Sequence, residues 1–411
     1  MLKILVFGSC NIDSVYSVDH IVRPGETLSA TECETYPGGK GFNQAMAIAQ
    51  AGTPVYFAGC IGKDGVGLKS MLAEAGVNLT YLKTSEHKTG QAIIQVDRNG
   101  ENSIFIFHGA NDCIDSAYID EVLQDFSDGD FILLQNEISN LDYLIEHASQ
   151  KGMKIILNPS PFTKQFVKLN LNDLFCIVLN ETEATQWADT NCPFDFITMV
   201  KQQKAQTRVV LTLGEKGCLY WCDEKIYRYQ AYKTLVRDTT AAGDTFTGYF
   251  VSGLFHQFTN DNIFKTASAA AAIAISRQGA ASSIPAIAEV HNRMPEMHSN
   301  LCNEIAEQKQ LIDTYLENNM QSACMEEMAI LLGYSKEYTS KWIKAKFNLT
   351  FSELLHQKRC CCAADYLKNT NIPVEEIIDR VGYHNGNYFR KVFLEQYGML
   401  PMEYRKIQKK L

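Results

Sequence analysis

The chain has 411 residues, 46% of them apolar and 21% charged, with a formal net charge of −9. That length points to two domains, and the composition to an ordinary globular protein rather than a disordered or fibrous one. No apolar run approaches the roughly 20 residues a membrane-spanning helix needs, and thirteen scattered cysteines without a CxxC pair argue against a zinc or disulfide framework and for a reducing cytoplasm.

In chain order, Ile4–Phe7 reads as a first buried strand rather than a signal peptide, because no small-residue cleavage site follows it. Asn11 and Asp13 come directly after, placed either to bind hydroxyl groups or to cap a loop. Tyr36-Pro-Gly-Gly-Lys-Gly-Phe-Asn-Gln-Ala45 is a glycine-rich turn into a helix ending near Gly52; its glycines admit close approach, and Lys40 and Asn43 offer donors. Short apolar runs at Val55–Gly59, Phe131–Leu134, Lys154–Leu157, Phe175–Leu179 and Val209–Leu213, like the first, each precede a helical pattern. They read as buried parallel strands with crossover helices. By contrast, Gln91–Asp97 and Ser103–Phe107 alternate across Arg98-Asn-Gly-Glu-Asn102, as a hairpin with one exposed face outside the main sheet does.

Ligands of open α/β sheets bind beyond the carboxyl ends of the strands. Glu137 and Asn180-Glu-Thr-Glu183 occupy such places; acids there suit a hydrated Mg²⁺, while Glu183 equally suits the first turn of a helix. Thr212-Leu-Gly-Glu-Lys-Gly217 is a strand-end glycine loop suited to lie against a nucleotide. Asp238-Thr-Thr-Ala-Ala-Gly-Asp-Thr-Phe-Thr-Gly248 opens an apolar helix with small residues and puts Asp244 in its first turn. The unpaired N–H groups of a helix start hold phosphate, and a carboxylate beside them accepts a proton from an incoming hydroxyl. Together they suit phosphoryl transfer to an alcohol; alone, the stretch also looks like an ordinary helix start.

Taken jointly, Asn11-Ile-Asp13, Pro24-Gly-Glu-Thr27, Gly38–Ala45, His108-Gly-Ala-Asn111, Asn180–Glu183, Thr212–Gly217 and Ala241-Ala-Gly-Asp-Thr-Phe246 resemble the PfkB family of carbohydrate kinases, in its ribokinase-like branch, over about residues 1–290. The resemblance implies an α/β fold, a three-layer, mostly parallel sheet with a small β lid near residues 14–35 and 91–107 that commonly mediates dimers. It makes Asp244 the catalytic base and Gly243 part of the anion hole. Asn11, Asp13, Gly39, Lys40, Gly41, Asn43, Glu137 and Asp244 become sugar contacts. Asn180, Thr212, Leu213, Gly214, Glu215, Lys216, Gly217, Gly243 and Ser268 become nucleotide contacts for ATP, with Glu183 supporting Mg²⁺. A K⁺ site maps to Asp238, Thr240, Ala274, Arg277, Gly279 and Ser283, several acting through backbone carbonyls. Arg237, where an apolar residue is more usual, and Ser268, where a larger polar one is, depart from the pattern without removing a catalytic group.

That resemblance ends near Met294, leaving residues 295–304 as a linker and 305–411 as an all-α domain. Residues 321–411 carry fourteen Lys/Arg against ten Asp/Glu, a net +4 that leaves −13 for the rest of the chain, and such a basic tail domain hints at nucleic acid. Met325–Tyr334 leading into Ser335–Lys346, and Val374–Tyr383 leading into His384–Gln396, repeat one design: apolar helix, Gly-Tyr turn, polar cap, basic second helix. That is a helix-turn-helix. The spacing and the ending Phe389-Arg-Lys-Val-Phe393, Gly398, Pro401, Tyr404-Arg405 resemble the DNA-binding domain of the AraC/XylS family over about residues 305–405, with Asn348 standing where glycine is usual. Residues 359–367 would form the connecting helix, with Cys360 and Ala363 on its buried face. Candidate contacts to double-stranded DNA are Lys336, Ser340, Lys341 and Lys344 in the first unit and His384, Asn385, Asn387, Arg390 and Lys391 in the second; Lys406, Lys409 and Lys410 suit phosphates. The combination implies an ATP-dependent sugar kinase, for ribose or a similar furanose, joined to a DNA-binding domain. The alternative is a sugar-sensing regulator whose kinase fold turns over little.

Overall fold

The computed structural model describes residues 2–297, 304–332 and 336–408. The chain divides into two compact units, 1–300 and 301–411.

The first unit is built on thirteen strands: β1 (Ile4–Phe7), β2 (Asn11–Ser17), β3 (Glu32–Gly38), β4 (Tyr56–Gly62), β5 (Asn78–Ser85), β6 (Gly90–Val96), β7 (Asn102–Phe107), β8 (Phe131–Gln135), β9 (Lys154–Asn158), β10 (Cys176–Asn180), β11 (Arg208–Thr212), β12 (Cys218–Cys222) and β13 (Lys225–Tyr229). Nine form one sheet in the order β13-β12-β11-β10-β9-β8-β1-β4-β5. It is parallel from β11 to β5, and β12 and β13 add an antiparallel edge. The inner strands β1 and β8 are buried throughout, as apolar runs covered on both faces must be. Chain order turns back at β1, which lies between β4 and β8, and this is where an open sheet leaves a crevice at its carboxyl ends.

Three runs depart from the expected strand-then-helix alternation, β9 among them, since only two short 3-10 turns separate it from β10. The chain leaves β1 into the lid strands β2 and β3 before reaching the helix Lys40–Gln50, and β11 leads into the β12–β13 hairpin. That hairpin turns at Asp223 (φ 49°) and Glu224 (φ 59°), a pair that lacks the usual Asn-Gly signature. β5 escapes a sequence reading because it is a half-exposed edge strand rich in polar residues.

β3-β2-β6-β7 form the separate lid sheet, with β6 and β7 as the expected hairpin. Asn11 and Asp13 stand in β2, paired with Gly38 and Tyr36 of β3, and are therefore strand residues rather than loop caps. The strand β7 exposes Ile104, Phe105, Ile106 and Phe107. Behind the main sheet, the helix Ala242–Phe255 packs on Lys40–Gln50 so closely that a Cβ on Gly248 would sit 2.4 Å from the Ala47 Cβ. This contact brings two helix N-termini to one point.

The second unit is all-helical among its described residues. Its long helix Phe351–Asn369 starts earlier than residue 359, at a Thr350/Glu353 capping box, and buries Cys360 and Ala363. Phe389 and Phe393 fill the core beside them, and Asn348 adopts the left-handed conformation (φ 55°) that tolerates asparagine. Gly333, Tyr334 and Ser335 of the first expected turn lie outside the described residues, as do Lys409 and Lys410.

Candidate active site

The carboxyl ends of β1, β8, β9, β10 and β11 deliver Ser9, Glu137, Asn158, Asn180 and Thr212 to one edge of the sheet. Here the glycine-rich turn has a defined task. A Cβ on Gly41 would lie 2.5 Å from the Ser9 nitrogen, so only glycine lets the helix Lys40–Gln50 start against the end of β1. Gly39 (φ 91°) makes the turn. Glu137 locks it: one carboxylate oxygen accepts the Lys40 N–H at 3.0 Å and also the Ser9 hydroxyl. That oxygen holds the helix N-terminus, which favours negative charge, so Glu137 has a scaffolding role beside its expected sugar contact.

Asp244 lies in the first turn of Ala242–Phe255 and is buried. Asn43 Nδ2 donates to one of its oxygens (3.0 Å) and Gln44 Nε2 to the other (2.9 Å). Gln44 also donates to Asn158 Oδ1 (3.1 Å) and accepts from Gln135 Nε2 (2.6 Å). Asn43, expected to face a sugar, thus also orients the carboxylate through its Nδ2, while its buried Oδ1 has no hydrogen-bond partner. Gln44, Gln135 and Asn158 complete a network that no spacing pattern revealed, because amides separated by about a hundred residues meet only in the folded sheet. Asn11 is likewise held, accepting from Asn111 Nδ2 at 2.8 Å.

Lys40 is the electrostatic centre. Burial works to lower its pKa, but Asp244, Glu137, Glu183 and Asp13 more than offset this and raise it above the usual lysine value. Asp13 is pushed up to about 7, first by burial and then by Glu137 and Asp244, with Lys40 opposing. Its carboxylate sits where a Cβ on Gly38 would be, 2.0 Å away, and Oδ1 lacks a hydrogen-bond partner.

Two cavities adjoin at Thr212, Thr239, Ala242 and Gly243. The larger, about 600 Å³, is lined by Tyr232, Phe246, Ser268, Ala271 and Ile275 together with Gly214, Glu215 and Gly217; that size suits a small-molecule ligand. Leu213 is buried, and neither it nor Lys216 lines this cavity. The smaller, about 230 Å³, joins Lys40, Asn180, Glu183 and Asp244. Glu183 and Asn180 form a reciprocal capping box, so Glu183 is a first-turn residue that also borders the cavity. The first-turn N–H groups of Gly243 and Asp244, which have no partner within the helix, belong to residues of this wall.

Asp238 ties the candidate cation residues together, accepting from Thr240 N (2.8 Å) and Gly279 N (2.9 Å). Burial opposes its charge, but these hydrogen bonds hold its carboxyl below the ordinary value. Arg277 turns its guanidinium to Glu289, leaving only its carbonyl for a cation. Ser283 Oγ donates to Ala280 O at 2.7 Å. Among the described residues no group of three or more His, Cys, Asp or Glu is placed to hold a metal.

Residues 1–287 match the sequence model of the pfkB family carbohydrate kinases. The chain belongs to this family. Its relatives include the ribokinase of Haemophilus influenzae, 36% identical over 291 residues spanning 68% of this chain and 94% of the relative. Among solved structures, a Cryptococcus neoformans ribokinase in complex with ADP is 34% identical, covers 71% of this chain and 100% of its own, and superposes with a TM-score of 0.64. An Arabidopsis thaliana ribokinase complexed with ribose and ATP is 26% identical, covers 72% and 99%, and has a TM-score of 0.62. The unit of residues 1–287 is thus an ATP-dependent carbohydrate kinase, with Lys40, Glu183 and Asp244 lining one cavity.

Residues 328–407 match a helix-turn-helix domain, of AraC type. Lys336, Ser340, Lys341 and Lys344 are exposed on the helix Lys336–Phe347, whose Thr339, Trp342 and Ile343 turn inward. Lys336 pairs with Glu326, and Lys344 lies 3.8 Å from Glu353. His384, Asn385, Asn387 and Lys391 are exposed, and Arg390 is half-buried and pairs with Glu375 at 3.1 Å. Asn385 is the cap of Gly386–Tyr397, its oxygen accepting from Asn387 N and Tyr388 N, so only its amide NH₂ remains to read DNA. No described helix is long and apolar enough to cross a membrane.

Proposed function

We propose that this chain transfers the γ-phosphoryl group of ATP to a hydroxyl of ribose, giving ribose 5-phosphate, and that its helical unit binds double-stranded DNA in response to sugar availability. The observation carrying the first part is Asp244, fixed by two amides in the wall of the smaller cavity, next to Gly243 where the two cavities adjoin. In this reading the sugar lies between the lid and Lys40–Gln50, held by Asn11, Asp13, Gly39, Lys40, Gly41, Asn43 and Glu137. ATP lies in the larger cavity with its γ-phosphate at Gly243. Asp244 accepts the hydroxyl proton, the sugar oxygen bonds to the γ-phosphorus in line, and the bond to the β–γ bridging oxygen breaks to release ADP. The helix N–H groups and the Lys40 ammonium offset the charge on the moving phosphoryl group. Glu183, a single buried carboxylate, fits a Mg²⁺ held mainly by water and phosphate; such an ion screens the phosphate charge. Asp238, Thr240, Ala274, Arg277, Gly279 and Ser283 would hold K⁺, mostly through carbonyls, and the Asp238–Gly279 bond already gathers their two segments. The apolar outer strand β7 suits homodimerisation through the lid, and the buried thiols of Cys10, Cys176 and Cys218 suit a reducing cytoplasm.

The test is ADP release by the full chain across pentoses, hexoses and nucleosides. Ribose is expected to give the highest kcat/KM. Turnover on none of them would favour the sensor reading instead.

Asp13 adds a pH signature. Its folded pKa of about 7 lies above the unfolded carboxylate value of about 3.9. The folded form therefore binds this proton more tightly, and the resulting stability is full below about pH 3.9 and lost as pH rises through about 7. Sugar hydroxyls donate to the ionised form, so KM for ribose is expected to fall between pH 6 and 8, and the melting temperature of the free protein is expected to fall over the same range. A pH-independent KM together with an unchanged melting profile would remove this role.

For the helical unit, Lys341→Ala and Lys391→Ala are each expected to weaken binding to duplex DNA. Each should also lessen the slope of log K against log salt by about 0.9 per lost phosphate contact. Equilibrium titrations from 50 to 200 mM salt, with and without ribose and ATP, read this slope and the proposed sugar response together. An unaltered slope in both variants would place these lysines away from the phosphates.

A further inference from the structure

Gln135 is completely buried and lines neither cavity, yet only one residue separates it from Asp244. It ends β8 and is the register partner of Asn158, which ends β9. Both side chains meet Gln44, itself completely buried. Gln135 Nε2 donates to Gln44 Oε1 at 2.6 Å, while Gln44 Nε2 donates to Asn158 Oδ1 at 3.1 Å and to Asp244 Oδ1 at 2.9 Å. The direction of these bonds is dictated by two end groups that only accept. Asn158 Nδ2 donates to the Val178 carbonyl at 2.9 Å, so its oxygen faces Gln44. The Asp244 carboxylate accepts as well. Gln44 must therefore turn its NH₂ to both and its oxygen to Gln135. A reversed Gln44 amide would set its oxygen against two others and its NH₂ against that of Gln135. By contrast Asn43, on the other Asp244 oxygen, has an unpartnered Oδ1 and no such lock. The Gln135 oxygen also lacks a partner and lies 2.1 Å from where a Cβ on Gly8 would stand. An unpaired buried oxygen is unfavourable, and what its amide secures in exchange is the bond to Gln44.

We propose that Gln135 is a positioning residue for phosphoryl transfer, holding the Gln44 amide in the one orientation that fixes the plane of the Asp244 carboxylate. This rests on Asp244 being the base, as given above. With one oxygen pinned by Gln44, the carboxylate meets the incoming hydroxyl at a set angle, and the hydroxyl meets the γ-phosphorus in line. The ends of β8 and β9 thus support the reacting atoms through a single amide, and Gln135 does so without touching substrate.

The experiment is a kinetic double-mutant cycle on the full chain, reading ADP release with ribose and ATP varied. Gln135→Met keeps the length of the side chain and removes the donor. It is expected to lower kcat about 10-fold, part of the roughly 10²-fold that a 1 Å misplacement costs, with KM for ribose and for ATP within about 2-fold of wild type. Gln44→Met is expected to lose at least as much. Adding Gln135→Met to it should lose nothing further, because the donor then has nothing to hold. A thermal melt checks folding. Should Gln135→Met not fold, Asn158→Ala, at a half-buried position, releases Gln44 from the other side and takes its place in the cycle. A wild-type kcat in the folded variant would overturn the proposal. So would a loss that adds in full to that of Gln44→Met, since a general packing defect behaves in that way. A wild type with no turnover on ribose would instead fail the functional reading, and the positioning role would fall with it.

Discussion

Asp244→Asn is expected to lower kcat by roughly 10²–10⁴-fold, the range supplied by a positioned proton acceptor, while leaving the fold intact. The neutral amide cannot take the hydroxyl proton, but it is close in shape to the carboxylate. One of its atoms becomes an NH₂ facing an amide that previously donated to it. Asn43 can absorb this, because its buried Oδ1 has no hydrogen-bond partner and turning the amide about would present that oxygen to the new donor. Asp244→Ala is the harsher change, since it strands the Asn43 and Gln44 amides in a buried site at about 1–3 kcal/mol for each unsatisfied group. ADP release under saturating ribose and ATP measures the first effect, and a thermal melt separates it from unfolding. An Asn variant retaining a tenth or more of wild-type kcat would exclude Asp244 as the base.

Gly41→Ala should cost stability and activity together. The new Cβ would meet the Ser9 nitrogen at 2.5 Å and the Gly8 carbonyl carbon at 2.6 Å, both backbone atoms that no side-chain rotation can move aside. The end of β1 and the start of Lys40–Gln50 must separate, at about 3 kcal/mol, the upper part of the usual overpacking range. The same shift breaks the Lys40 N–H bond to Glu137 and moves Asn43 and Gln44, which orient Asp244. Denaturant titration is expected to show the stability loss, with KM for sugar raised and kcat lowered in whatever fraction folds. A folded variant with unaltered stability and kinetics would show that this close approach is dispensable.

Much of the kinase unit was legible in the chain itself. Strands buried on both faces must be apolar throughout, which marked β1, β8, β9, β10 and β11. A turn that packs backbone on backbone needs glycine, which marked residues 38–41. The left-handed conformation at Asn348 and the burial of Cys360 were legible for similar local reasons. Edge strands were harder. β5 is half solvated, and the β12–β13 turn uses Asp-Glu where the favoured sequence has glycine, so neither carries a strong local signal. The capping role of Asn385 was not legible, because caps and DNA contacts share the same side chain; only its hydrogen bonds show that its oxygen is engaged.

The sequence by itself determined the two-part architecture, the strand-end positions of the acids and glycines, and the presence of Asp244 at a helix start. Each follows from a local rule: periodicity, turn chemistry or the unpaired N–H groups of a first turn. Only the tertiary structure decided how the acids are used. It made Asn43 a holder of Asp244 beside its expected sugar contact, added Gln44, Gln135 and Asn158 to the same network, and gave Glu137 a helix N-terminus to anchor. It also surrounded Lys40 with four carboxylates and raised Asp13 toward neutrality. The physical reason is one of range. Propensity and spacing act over a few residues, whereas burial, Coulomb interaction and amide pairing depend on distances that exist only once β1, β8, β9 and the two central helices meet.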